Sequence, residues 1–177
     1  MKGICITMKH DYSIVYESIR LIPLDSVSSE KYRIIRNQDN NRCFFLNSDI
    51  ITVEQQMRWY ERYLSSEGDY MFAILNENSI IIGGCAIYNI DFIHGVGEFG
   101  RIVIDGAYSG RGYGYLALKA SIKLASIELG LSNLILEVMS SNKAALRIYE
   151  KAGFQKKADK DGIIQMECEL NILDKVL

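Results

Sequence analysis

Residues 105–125 read DGAYSGRGYGYLALKASIKLA, a glycine cluster that runs directly into a long apolar helix pattern. Gly110, Gly112 and Gly114 stand where a strand pattern ends and a helix pattern begins. Glycine admits positive φ and, lacking a side chain, lets a ligand reach the backbone. The first turn of the following helix offers unpaired N–H groups at the positive end of its dipole, so the stretch reads as an anion site. Seven of the fourteen glycines lie between Gly95 and Gly114, which concentrates the demand for special backbone geometry there. The spacing G-R-G-Y-G is not the G-x-G-x-x-G of a dinucleotide fold, and no G-K-[ST] follows. A plain loop and helix entry stays open on this pattern alone. Arg111 reads either as an anion contact or as a solvated side chain.

A second stretch, residues 133–154, reads NLILEVMSSNKAALRIYEKAGF. Asn142 is a good helix N-cap. Tyr149 follows seven residues later, almost two turns, so the two side chains share a helix face. Its hydroxyl is a candidate proton donor; a core aromatic with a satisfied hydroxyl is the other reading.

The elements that would position these residues follow from pattern. Residues 14–24 read as a strand, with a short one before it at 4–8. Residues 26–37 read as a helix. A second helix is specified at its start by the T-x-x-Q capping box of Thr52 and Gln55. Val53, Met57, Tyr60 and Leu64 follow on one face of it. YMFAIL and SIIIGGCAIYNID read as strands joined across residues 76–78, and EFGRIVID as another. Residues 112–129 form a helix apolar around much of its circumference, which fits packing on a sheet. LILEVM is a strand. Residues 142–152 form a helix that stops at Gly153, suited to a left-handed cap. Residues 154–157 and 163–172 pair across DKDG. The layout is mixed α/β, with an antiparallel first half and one strand–helix–strand crossover.

Composition narrows the function class. At 177 residues the chain suits one well-buried domain, and its single proline, Pro23, and lack of Gly/Ser-rich linkers agree. A net charge of −2 with scattered Lys and Arg argues against a nucleic-acid surface. No apolar run approaches the roughly 20 residues a membrane helix needs. The four cysteines (Cys5, Cys43, Cys85, Cys168) are far apart in apolar contexts, which reads as free thiols in a reducing cytosol and a cytoplasmic location. With only His10 and His94, a histidine metal site or a Ser-His-Asp triad is poorly supported, and no metal is expected.

Taken together, RIVIDGAYSGRGYGYLAL and, about 30 residues on, LEVMSSNKAALRIYEKAGF resemble the acyl-CoA-binding core of the GNAT family of N-acetyltransferases. The first matches the family's R/Q-x-x-G-x-G/A loop. The second matches its N-x-x-A-x-x-x-Y-x-x-x-G-F helix at Asn142, Ala145, Tyr149, Gly153 and Phe154. The resemblance covers about residues 70–170, and more loosely residues 32–64. It implies an α/β fold with a mixed, mostly antiparallel sheet flanked by helices, and acetyl-CoA as co-substrate. It also implies a cofactor core at about 70–170 and an acceptor-determining part at about 14–69.

The same resemblance implies roles. Backbone of Ile102, Val103 and Ile104 would pair with the pantetheine arm and polarise the thioester carbonyl. The loop Ser109, Gly110, Arg111, Gly112, Tyr113 and Gly114 would hold the pyrophosphate, and Asn142 would touch the cofactor. The family's loop opens on Gln or Arg; Ser109 stands there, with a shorter reach and no charge, and Arg111 is placed to take the missing contact. An ammonium group has no lone pair, so a base must first take a proton, while the departing thiolate gains from an acid. Tyr149 matches the family's acid. Glu98 is the candidate base, against the alternative of a solvated strand-end carboxylate. No cysteine falls in either motif, which disfavours an acyl-enzyme route.

The acceptor would be set by residues 32–64, which look like the subgroup of ribosomal-protein N-terminal, spermidine and nucleotide-linked amino-sugar acetyltransferases. The R-N pair Arg36 and Asn37, and Trp59 with Tyr63, are most similar to the amino-sugar enzymes. Trp59 and Tyr63 would form an aromatic wall, or else part of an apolar face on the sheet. Arg36 and Arg42 would meet a diphosphate, or be plain surface residues. The expected acceptor is therefore a nucleotide-linked amino sugar or similar small amine. A polyamine, a protein N-terminus, or a non-catalytic CoA-binding module are the alternatives. The final strands, at 163–172, would offer an edge for a homodimer.

Overall fold

The computed structural model describes residues 8–45 and 47–170. Strands β1 (Ile14–Tyr16) and β2 (Ile19–Pro23) come first, followed by helices α1 (Ser26–Arg36), α2 (Asp39–Arg42) and α3 (Val53–Ser65). Strands β3 (Tyr70–Leu75), β4 (Ile81–Asp91) and β5 (Val96–Ile104) lead to α4 (Tyr113–Ile127). The chain continues through β6 (Asn133–Met139), α5 (Lys143–Ala152), β7 (Gln155–Lys160) and β8 (Ile163–Glu169). All described strands join one sheet of order β1-β2-β3-β4-β5-β6-β8-β7, so β8, expected to offer an edge, is paired on both sides and β7 is the edge strand. Every neighbouring pair is antiparallel except β5 and β6, the pair that α4 bridges.

The continuous apolar run of β3 is explained by burial on both faces. Phe72 and Ile74 join the core under α4 and α5, whereas Met71, Ala73 and Leu75 join a second core under α1 and α3. The sheet is thus a middle layer, and the two helix layers can carry different tasks.

Four readings of the pattern change. Residues 14–24 form a hairpin, not one strand: the chain turns at the polar pair Glu17 and Ser18, with Glu17 at φ +49. The strand expected at 4–8 lies, apart from Met8, outside the described residues. The buried face of α3 is Gln56, Tyr60 and Tyr63, while Val53 and Met57 are 44% and 59% exposed. Hydrogen bonding decides that rotation. The Gln56 amide donates to Ser29 Oγ (2.8 Å), Tyr60 Oη donates to the Leu24 carbonyl (3.3 Å), and Tyr63 Oη accepts from the Met71 N–H (3.0 Å). Finally, β7 runs on to Lys160, so the last hairpin turns on Asp161 and Gly162 alone, both at positive φ as a two-residue primed turn requires.

Candidate active site

The parallel pairing of β5 with β6 is short. It joins Val96 to Asn133, Gly97 to Leu134 and Glu98 to Ile135, and then stops, although β5 continues to Ile104 and β6 to Met139. The strands part beyond Glu98, and a cavity of about 460 Å³ opens between them. Ile102, Val103 and Ile104 line it from β5, Glu137, Val138 and Met139 from β6, and Asn142, Ala145, Ile148 and Tyr149 from the start and middle of α5. Ser109 and Gly114 close one end, and Phe44 and Phe45 stand on the α2 side. Beyond Glu98, β5 makes no ladder pairing with β6, so its backbone there is open to the cavity except where the Ile104 carbonyl accepts from Asn41.

The glycine loop sits at the mouth of this split. Gly110 has φ +75, and Gly112, the N-cap of α4, has φ +84. A Cβ built at either would meet no atom within 4 Å beyond its chain neighbours. These glycines are required by backbone conformation, and the space before them is open. Two side-chain ties fix the approach to the loop: Gln38 Oε1 accepts from the Gly106 N–H (2.9 Å), and Asn41 Nδ2 donates to the Ile104 carbonyl (2.9 Å). The Tyr113 side chain turns away from the cavity. It is buried and its hydroxyl donates to the Glu77 carboxylate (3.1 Å), so only its backbone can serve the loop. Arg111 is exposed, its guanidinium 5.5 Å from the centre of the Tyr108 ring.

On α5, Asn142 caps the helix through Oδ1, which accepts from the Ala145 N–H (3.1 Å), and keeps its amide nitrogen as a donor. Gly153 ends the helix at φ +104, with the Phe154 N–H returning to the Tyr149 carbonyl (3.0 Å). Those two caps fix the position of Tyr149. Its ring is buried edge-on to Phe99 and against Phe154, and its hydroxyl has no hydrogen-bond partner among the described residues. Burial alone pushes the phenol up to about 12, so it holds its proton at neutral pH.

Glu98 lies where β5 and β6 part. Tyr88 Oη donates to its Oε1 (2.5 Å) and Asn89 Nδ2 to its Oε2 (2.9 Å). Three residues on, β5 carries a bulge. Gly84 pairs with Val103 and Ala86 with Gly100, so Arg101 and Ile102 together face Cys85, and Arg101 sits at φ +52. Arg101, Tyr88 and Glu137 all line the cavity. The sequence reading named none of the three. Arg101 stands in the sequence as an arginine flanked by glycine and isoleucine in a strand whose other charged residue is Glu98.

The residues expected to bind the acceptor are employed elsewhere and do not line the cavity. Arg36 is buried, stacked 3.8 Å from the Phe45 ring centre, and donates to the Asn47 carbonyl. Asn37 ties residue 51 through both its amide oxygen and nitrogen. Trp59 stacks on Tyr63 with ring centres 5.3 Å apart, and Tyr63 is 2% exposed. Arg42 pairs with Asp39 (2.7 Å) on the surface. Each is a structural contact, which the residue type alone does not distinguish from a ligand contact.

Comparison with known proteins gives a family. The model of the acetyltransferase (GNAT) domain matches residues 19–155. The chain belongs to the GNAT family. Among curated relatives, the spermidine N(1)-acetyltransferase of Vibrio cholerae is 23% identical over 125 residues, covering 69% of this chain and 72% of that protein. The probable N-acetyltransferase YjcK of Bacillus subtilis is 28% identical over 167 residues, 88% of each chain. Among solved structures, the V. cholerae spermidine N-acetyltransferase in complex with CoA and spermine superposes with a TM-score of 0.79 at 18% identity, covering 86% of this chain and 96% of that one. The acetyltransferase described here therefore has the GNAT fold, uses acetyl-CoA as co-substrate and moves its acetyl group to an amine. Its own geometry fits that co-substrate. An open, positive-φ loop at a helix N-terminus suits a pyrophosphate, and an unpaired strand edge suits an amide-bearing arm. No described helix is long and apolar enough to cross a membrane.

Proposed function

We propose that the acceptor is a small cationic amine of the polyamine class, acetylated by direct transfer, with Glu98 as base and Tyr149 as acid. The observation that carries this reading is that an unpartnered, protonated tyrosine hydroxyl and a carboxylate face one cavity beside an unpaired strand edge. Glu98 takes one proton from the ammonium group, directly or through a water, and exposes the lone pair. Backbone N–H groups of residues 102–104 hold the charge that gathers on the carbonyl oxygen. Tyr149 gives its proton to the departing thiolate and recovers one from the nitrogen that becomes the amide. Ser109 to Gly114 and Asn142 bind the cofactor.

Charge in the cavity supports the polyamine class. The ionisable side chains lining it, besides tyrosines, are Glu98, Glu137 and Arg101, and Arg101 is neutralised by Asp69 at 2.8 Å. Two carboxylates suit a cation and repel a diphosphate. The likeness to spermidine acetyltransferase points the same way. Thiol release from acetyl-CoA tests the reading against polyamines, amino sugars with their nucleotide conjugates, and short peptides. Polyamines should give the highest kcat/KM. A preference for nucleotide-linked sugars would overturn the acceptor class, and no turnover with any amine would overturn the chemistry.

A further inference from the structure

We infer that Tyr88 and Arg101 are positioning residues that lock the Glu98 carboxylate to the bulge in β5, so that the base and the thioester-facing strand edge keep one fixed spacing. The inference rests on reading Glu98 as the base. Arg101 holds φ +52 inside a strand, a left-handed conformation that is unfavourable for a non-glycine residue. Such a conformation persists only where the surroundings over-determine it.

Here three elements hold Arg101. From α1, Tyr32 Oη donates to its carbonyl (2.9 Å). From the residue before β3, Asp69 accepts from Nη1 through both oxygens (2.8 and 2.9 Å). From β4, the Tyr88 ring lies 4.2 Å beneath its guanidinium. Tyr32 can reach that carbonyl because Gly84 has no side chain: a Cβ there would stand 2.6 Å from the tyrosine ring. The same Tyr88 that stacks on Arg101 donates to Glu98, so one aromatic side chain links the bulge to the carboxylate.

A second strained residue completes the clamp. Asn89 has φ +49 beside the next irregularity of the β4–β5 ladder, between Tyr88 and Asp91, and its amide donates to the other oxygen of Glu98. Both oxygens are thus fixed from β4, and Tyr88 is itself fixed from β5. The remaining charged or titratable groups of this surround are Glu137 on β6, Tyr149 on α5, Tyr63 on α3, Cys85 on β4, and Lys9, whose ammonium feels Asp69 and Arg101. Tyr88 keeps its proton, because burial and the adjacent Glu98 carboxylate both raise its pKa. It therefore acts as a donor to Glu98 and not as a second base.

A double-mutant cycle separates positioning from general packing. Tyr88→Phe keeps the ring under Arg101 and removes only the donor to Glu98. With acetyl-CoA and the best amine, it should lower kcat roughly tenfold, the worth of one hydrogen bond to a charged group, with acetyl-CoA KM unchanged. In a Glu98→Gln background the same change should cost less than twofold, because the group it positions is gone. Asp69→Asn, which loosens Arg101, should behave alike. Equal losses in both backgrounds, or no loss in the native one, would overturn the inference. If Glu98→Gln alone keeps native turnover, the base assignment itself fails, an outcome distinct from the first two.

Discussion

In the half built from β5, α4, β6 and α5, the features proposed to bind the cofactor are made of backbone. Gly110 and Gly112 hold positive φ, β5 leaves an edge unpaired, and the caps Asn142 and Gly153 aim Tyr149 into the split. In the half built from α1, α2 and α3, the polar and aromatic side chains mostly hold the protein together. Arg36 carries a loop carbonyl, Asn37 clamps residue 51, Gln56 ties α3 to α1, and Tyr63 holds the start of β3. The difference teaches that a site made of backbone advertises itself through the residues that permit that backbone. A surface of ordinary polar side chains does not say whether it binds a ligand or a neighbour.

Changing one residue in each half tests the contrast. Gly112→Val should have the larger effect. It forces a β-branched residue into the left-handed region, where even an ordinary side chain costs roughly 1–2 kcal/mol, and it blocks the open face of the loop. Acetyl-CoA KM should rise about tenfold or more. Since a Cβ at this position meets no atom within 4 Å beyond its chain neighbours, a large rise means lost ligand access and loop shape. An unchanged KM would remove the loop from the cofactor site.

Tyr63→Phe should have the smaller kinetic effect. It leaves the buried Met71 N–H without its acceptor, which costs roughly 1–3 kcal/mol, or about 2–12 °C in Tm for a chain of this size. The KM for the amine should not move. A raised amine KM at native Tm would mean that this half binds the acceptor through the residues first expected to do so.

Legibility followed the same division. Most of the strand and helix order, the capping box of Thr52 and Gln55, the crossover and the shared helix face of Asn142 and Tyr149 could be read from residue type and spacing, while their place in a cofactor cleft came from the family resemblance. The bulge at Arg101 could not, because its positive φ is imposed by Tyr32, Asp69 and Tyr88 from distant segments, with no glycine to mark it. The rotation of α3 was hidden for a related reason. Tyrosine hydroxyls and a glutamine amide with buried partners outweighed the apolar stripe of Val53 and Met57.

The most direct measurement is the pH profile of kcat for the native enzyme and for Tyr149→Phe, alongside acetyl-CoA binding. Tyr149 is neutral below its pKa of about 12, so the native rate should show no alkaline loss from this group across the neutral and mildly basic range. The variant should lose at least about tenfold in kcat across that range while binding acetyl-CoA with native affinity. Native turnover in Tyr149→Phe, or an alkaline fall of the native rate near pH 9 that disappears in the variant, would contradict a protonated Tyr149 as the acid.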